Sequence, residues 1–237
     1  SKKGIILTKP SNIFITNIRV IPNKQKRYEL DKKYKFNLET ISKDDIKSIK
    51  DISINLFNED FMKKIYSDDF KRQVEALKDL KINLDKKENI NIFLDNLDII
   101  LKVIGIKFNN NSNPSVIKNL LDLLDSLYNV LNESKYIIND IESLIIMSLL
   151  IEKLSMSNNN LVKDQLGEVL NQYIDLLDTS KMIIMMLIIA SSKSDKIKSL
   201  VLEIIYELYI NKKNKISIKN LIKILSKYLI VPNNNIK

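Results

Sequence analysis

Neither cysteine nor histidine occurs anywhere in the 237 residues of this chain. Without cysteine there are no disulfides, no thiolate nucleophile and no cysteine-ligated zinc. Without histidine, the commonest metal ligand and the usual near-neutral acid–base group are both gone. Glycine and proline are scarce, at 3 and 4 residues, too few for the turns of an all-β or doubly wound α/β fold. A catalytic site would have to rest on carboxylates or lysine, and no Gly-rich phosphate loop or convergent carboxylate pair stands out. We therefore assign no catalytic residue, and expect no enzyme, no cofactor and no metal site. The most apolar run, Met182 to Ala190, falls short of the roughly 20 residues that cross a bilayer and reads as a buried helix. No signal peptide is visible, and Ser1-Lys2-Lys3 lacks an initiator methionine, the pattern of a piece of a longer protein. An intracellular soluble domain is the expectation.

What is abundant is lysine. The net charge of +9 points to an acidic partner: a protein, a nucleic acid or an anionic membrane. From Ser42 onward the apolar residues fall at helical spacing. Ser42 ahead of Asp44 and Asp45 is a helix-start signal. The pattern predicts helices over 43–50, 52–66, 69–83, 89–108, 114–132, 138–155, 160–177, 179–191, 195–211 and 217–230. Their apolar stripes, such as Leu120, Leu121, Leu124, Leu127 and Leu131, are too wide for a coiled-coil seam. Met182, Met185 and Met186 read as core packing. Glu142, Glu152 and Glu168 form no metal or catalytic constellation and are assigned to the surface.

The first segment is of another kind. Ile13 to Ile21 is β-branched, partly alternating, and ends at Pro22-Asn23, which predicts a strand or small hairpin. Lys24 to Lys35 is highly charged and reads as an extended arm, docked by Tyr28, Leu30, Tyr34 and Phe36. Residues 1–41 are thus expected to form an N-terminal extension, and 42–237 an all-α solenoid of helical hairpins.

A five-fold pattern runs through the helical part. Phe70-Lys71, Ile117-Lys118, Val162-Lys163, Ile197-Lys198 and Ile236-Lys237 each follow a polar turn. They recur at roughly 35 to 47 residues, the period of HEAT-type helical hairpins. Stacked hairpins bring equivalent loops to one edge, so a lysine after each loop would line that edge with positive charge. Cations in a first helical turn oppose the macrodipole, a local cost that makes sense where an acidic surface must be met.

Particular stretches resemble a known family. Tyr66 to Leu77, with an aromatic in a loop before an amphipathic helix, is similar to the first repeat of a TOG domain. Leu97 to Lys102, Lys107-Phe108 and the Asn-rich turn up to Ser115-Val116 resemble a second repeat. Tyr136 to Glu142 resembles the opening of the third, Lys193 to Lys198 the fourth loop, and Asn235-Ile236-Lys237 the fifth. Lys35 to Leu38 followed by Ser42 to Lys50 resembles the lead-in of the fifth TOG domain of ch-TOG-type microtubule polymerases.

The resemblance implies HEAT-like repeats, with the last half-repeat missing, that bind αβ-tubulin or the microtubule lattice along the loop edge. It implies a monomeric domain within a multi-domain cytoskeletal protein of microtubules, spindle or microtubule-organising centre. It carries over Phe70, Lys71 and Arg72 in the first loop, and Lys107, Asn111, Ser112 and Asn113 around the second. Asn159 and Lys163 follow in the third loop, Lys193, Lys196 and Lys198 in the fourth, and Lys237 in the fifth. The sequence also departs from the family. Phe70 replaces the Trp of the tightest binders, the second loop is nearly uncharged, and the third carries Asn where basic residues are common. Weak or conformation-dependent tubulin binding is therefore expected. The competing readings are a HEAT-type scaffold that does not bind tubulin, and a basic helical nucleic-acid binder. The second is disfavoured because the aromatics sit at core spacing or in the arm rather than along a groove. No nucleic-acid or membrane partner is expected.

Overall fold

The computed structural model describes residues 12–15, 21–177, 179–191, 194–211 and 218–229. Those residues form twelve α-helices: α1 (Lys24–Lys33), α2 (Lys43–Ser53), α3 (Glu59–Ile65), α4 (Phe70–Leu84), α5 (Ile90–Asp95), α6 (Leu97–Phe108), α7 (Pro114–Glu133), α8 (Asp140–Met156), α9 (Asn160–Leu176), α10 (Thr179–Ser191), α11 (Asp195–Asn211) and α12 (Ile218–Leu229). They divide into two compact units, one drawn from Ser1–Phe36 and Ile41–Ile137, the other from Asn37–Thr40 and Ile138–Lys237.

In the first unit α4 packs on α3 and α7, and α2 packs on α6. The reason is periodicity. Ala76, Leu77, Leu80 and Leu84 of α4 are buried at three- and four-residue steps, as are Val116, Leu120, Leu124, Leu127 and Leu131 of α7. Each buried leucine contributes about 1.5–3 kcal/mol relative to an exposed one. Asn113 starts α7 by accepting the amide hydrogens of Ser115 and Val116, with Pro114 at the first helical position, where its missing N–H costs nothing.

Two expected helices are divided. The run predicted over 52–66 stops at Ser53 and restarts at Glu59, because Asn58 caps α3 by accepting from the Phe61 N–H at 2.8 Å. The residues between carry a single antiparallel bridge between Phe14 and Phe57. The Phe14 ring stacks on Phe57 and meets Phe93 edge-on, at 5.7 and 5.1 Å between centroids. The run over 89–108 breaks at Asn96, whose side-chain amide donates to the Ile92 carbonyl at 3.0 Å. The strand expected over 13–21 is, among the described residues, only that one bridge; residues 16–20 lie outside them.

The charged arm is not extended. Lys24–Lys33 is helix α1, and Asn23, read as the end of a strand, is its N-cap, accepting from Lys26 N–H at 2.9 Å. Lys, Gln, Arg, Glu and Leu are all good helix formers, which a strand-type reading of the preceding residues obscured. The helix is closed off after its C-cap Tyr34 by Lys35, held at φ 51°, with Phe36 N–H returning to the Asp31 carbonyl at 2.9 Å. Docking is mainly polar. Arg27 makes a bidentate pair with Asp98, 2.7 Å on both arms, and also donates to the carbonyls of Pro22 and Asp95. Lys102 pairs with Asp31 at 2.6 Å, yet burial still pushes that carboxyl up despite the facing ammonium. Leu30 and Tyr34, expected to dock the arm, are exposed at 49% and 72%.

In the second unit α8 packs against α9, α10 and α11. Contact on several sides buries nearly its whole circumference, and that corrects the placement of two carboxylates. Glu142 and Glu152 are buried, not at the surface; Glu168 is exposed. Glu142 is accommodated as the third residue of α8, where its carboxylate accepts the Asn139 N–H at 3.1 Å while Asn139 caps the helix. Lys153 is also buried, and desolvation pulls its ammonium down to about 8, only partly offset by Glu152. Met182, Met185 and Met186 are buried in α10, as their spacing predicts.

Candidate protein-binding loops

In the first unit, the loop of residues 66–69 joins α3 to α4. Asp69 caps α4 by accepting the Lys71 N–H at 3.0 Å, and Ser67 Oγ accepts the Asp69 N–H at 3.1 Å. This cap sets Phe70 at the first helical position, where it is 42% exposed, with Lys71 and Arg72 exposed beside it. An aromatic at the very start of a helix lies ahead of the turn that would bury it.

The loop between α6 and α7 is tied to this one. Gln73, only 6% exposed, donates to the Ser67 carbonyl at 2.8 Å and accepts from the Asn111 side-chain amide at 2.9 Å. Asn111 in turn accepts the Asn113 N–H at 2.9 Å. Lys107 turns inward: it donates to the Tyr66 carbonyl at 3.4 Å and lies 3.8 Å from the fully exposed Asp68 carboxylate. Its charge is thereby matched inside the unit. Ser112 is exposed, and Asn111 and Asn113 are half-buried.

Gln73 was not among the expected site residues. The signal was there, since it shares the buried stripe with Leu77 and Leu80, and a polar residue on such a stripe needs partners. Replacing it with leucine is expected to cost about 1–2 kcal/mol, since the Ser67 carbonyl and the Asn111 amide each lose one hydrogen bond. The same change should speed amide exchange in both loops at once. Faster exchange in one loop alone would show that Gln73 does not link them.

In the second unit, Asn159 caps α9 by accepting the Leu161 N–H at 2.9 Å. Leu161 itself is 79% exposed, out of register with the buried Leu166, Val169 and Leu170. Lys163 and Lys196 are exposed and line one groove. Lys198 is half-buried and pairs with the exposed Asp195 at 3.3 Å. Lys193 and Lys237 lie outside the described residues. Of the remaining repeated pairs, Ile117 and Ile197 are buried and Lys118 is exposed.

Among the described residues, no group of three or more Asp or Glu is arranged to hold a metal ion. No described helix is long and apolar enough to cross a membrane.

No family model matches the chain. It is 29% identical over 163 residues to Protein MOR1 of Oryza sativa subsp. japonica, covering 68% of this chain and 8% of that protein. It is 28% identical over 149 residues to Protein MOR1 of Arabidopsis thaliana, covering 62% and 7%. The chain thus spans less than a tenth of the length of these curated relatives. Among solved structures it resembles the TOG domain of C. elegans Zyg9, with a TM-score of 0.68, 21% identity, and coverage of 80% of this chain and 71% of that one. It also resembles a structure described as "TOG-tubulin binding specificity promotes microtubule dynamics and mitotic spindle formation", with a TM-score of 0.72, 20% identity, and coverage of 94% and 89%. Paired helices joined by polar loops agree with both likenesses: the chain has the fold seen in these TOG domains.

Proposed function

We propose that this chain binds αβ-tubulin through its intra-repeat loops and belongs to a larger microtubule-associated cytoskeletal protein, with no reaction catalysed by the domain itself. The observation that carries the reading is the first loop. A half-exposed Phe70 stands beside two exposed cations on a frame fixed by Asp69 and Gln73. An aromatic with adjacent positive charge is the composition of protein-interface hot spots, and a rigid frame lowers the entropy lost on docking. The fold supports it too, since the description of one solved relative names tubulin as what a TOG domain binds. The lead-in of residues 35–50 is the basis for placing the chain with the fifth domain of ch-TOG-type polymerases.

The mechanism we favour is steering of exposed lysines onto an acidic surface, then desolvation around Phe70. Lys107 spends its charge on Asp68, and Lys198 on Asp195, so fewer cations face outward than the sequence count suggests. That favours weak binding, or binding to tubulin within a lattice. The test is co-sedimentation and size-exclusion binding with tubulin at two salt concentrations, comparing wild type with Phe70→Glu. The substitution should weaken binding by about 2 kcal/mol, roughly thirtyfold, and added salt should weaken the wild type. Equal binding by both proteins would defeat the loop reading. No tubulin binding by the wild type in solution or on microtubules would favour a HEAT-type scaffold with another partner.

A further inference from the structure

Helix α11 of the second unit turns an apolar stripe to solvent. Leu202, Tyr206 and Ile210 stand four residues apart, which places them on one face, and all three are exposed, Tyr206 at 67%. The opposite face supplies the core through Val201, Ile204, Ile205 and Leu208. Helix α9 of the same unit has no such stripe: after its first turn it exposes Asp164, Glu168, Asn171 and Asp175, all polar. The outermost helices of stacked hairpins need a polar outer face, because a bare apolar one invites association. The stripe begins two turns into α11, roughly 10 Å along the axis from its start at Asp195, and runs away from the loop.

Charge complementarity identifies what covers it. Glu203 and Glu207 are exposed along one border of the stripe, and neither has an ion-pair partner among the described residues. Their sign is opposite to the chain's net +9, so this face fits a basic, apolar helix rather than an acidic surface. The same unit carries such a helix. Packed on α10, α12 leaves Ile222 exposed at 61%, with the exposed Lys219 and Lys223 beside it, again without ion-pair partners among the described residues. Four residues, roughly 6 Å of rise, separate the two charges on each helix, so the acidic and basic ladders match in pitch.

We propose that two copies of this chain associate through these faces, α12 of each lying on the α11 stripe of the other. Ile222 then meets Tyr206, and Lys219 and Lys223 face Glu203 and Glu207. The contact is isologous, so each charge pair occurs twice. Pairing α11 with the partner's α11 instead would bring like carboxylates together, which costs free energy; pairing it with α12 turns that repulsion into attraction. The net charge of +9 on each copy opposes approach, so the association is weak. It departs from the monomeric domain that the family resemblance implies.

The test needs no tubulin: sedimentation equilibrium of the chain alone at roughly 10–500 µM, where wild type is expected to dimerise reversibly. One variant carries Glu203→Lys with Glu207→Lys, and another Lys219→Glu with Lys223→Glu. Each sets like charges across both contacts and is expected to weaken dimerisation about tenfold or more. Mixed in equal amounts, the two variants present opposite charges at both contacts again, and a heterodimer about as tight as the wild-type dimer is expected. Tyr206→Ala leaves the charges in place and is expected to weaken dimerisation about tenfold. Circular dichroism checks that each variant folds as wild type, and a misfolded variant could not be rescued by mixing. A dimer untouched by either charge reversal overturns the proposal, as do reversed variants that stay monomeric when mixed. So does a wild type that stays monomeric throughout, including the case in which a labelled Lys/Leu amphipathic peptide binds the stripe in its place.

Discussion

Replacing Arg27 with methionine is expected to destabilise the first unit by about 3–5 kcal/mol, the usual cost of removing one partner from a buried ion pair. The side chains of Arg27 and Asp98 are only 6% and 4% exposed, so the substitution leaves a carboxylate with neither solvent nor counter-charge. It also removes the donors to the carbonyls of Pro22 and Asp95. The loss has a ceiling. Once α1 detaches, water reaches Asp98, so the cost cannot exceed the free energy that docks α1. Denaturant unfolding gives the magnitude, and amide exchange across Lys24–Lys33 shows whether α1 leaves alone. The double variant Arg27→Met with Asp98→Leu should recover much of the loss, because no unpaired charge is then buried. A midpoint unmoved by the single substitution would show that α1 contributes nothing to stability.

The second large effect concerns pH. Lys153 in α8 is held at about 8 against an ordinary 10.5, chiefly by burial, with the Glu152 carboxylate opposing the shift. Below about pH 8 both folded and unfolded chains carry this proton, and the fold bears a constant cost. Between about 8 and 10.5 only the unfolded chain binds it, so stability rises with pH through that window. The gain is on the order of 3 kcal/mol when the window has been crossed. The measurement is unfolding free energy at several pH values for wild type and Lys153→Met. Their difference should change across the window in favour of wild type as pH rises, and a constant offset would refute the assignment. Lys64 moves the other way: hydrogen bonds to Asp60 and Asp79 raise it to about 12, so its contribution is lost only above 10.5 and does not overlap the window.

The helical part was legible because apolar residues repeat at helical spacing and the caps are spelled out locally. Ser42, Asn113, Asn139 and Asn159 each begin a helix through their own side chains, which needs nothing from distant residues. The largest misreading falls where distant residues decide. Helix α1 has almost no apolar stripe, and what holds it is a pair of ion pairs to residues 71 positions away. Asn58 and Asn96 divide longer periodic runs through hydrogen bonds that periodicity does not register.

The candidate site divides along the same line. By itself, the sequence determined the order of the loops, the aromatic at position 70 and the lysines that follow the turns, since these depend on local pattern and a family resemblance. Only tertiary structure decided which of those charges face outward. Lys107 is matched by Asp68, and Glu142 and Glu152 are buried because α8 is packed by three other helices. Gln73 joins two loops across 38 positions, and the groove of Lys163 and Lys196 exists only where separate helices meet. The physical reason is range. Helix propensity and capping act within a few residues, whereas burial and charge pairing depend on what folding brings alongside.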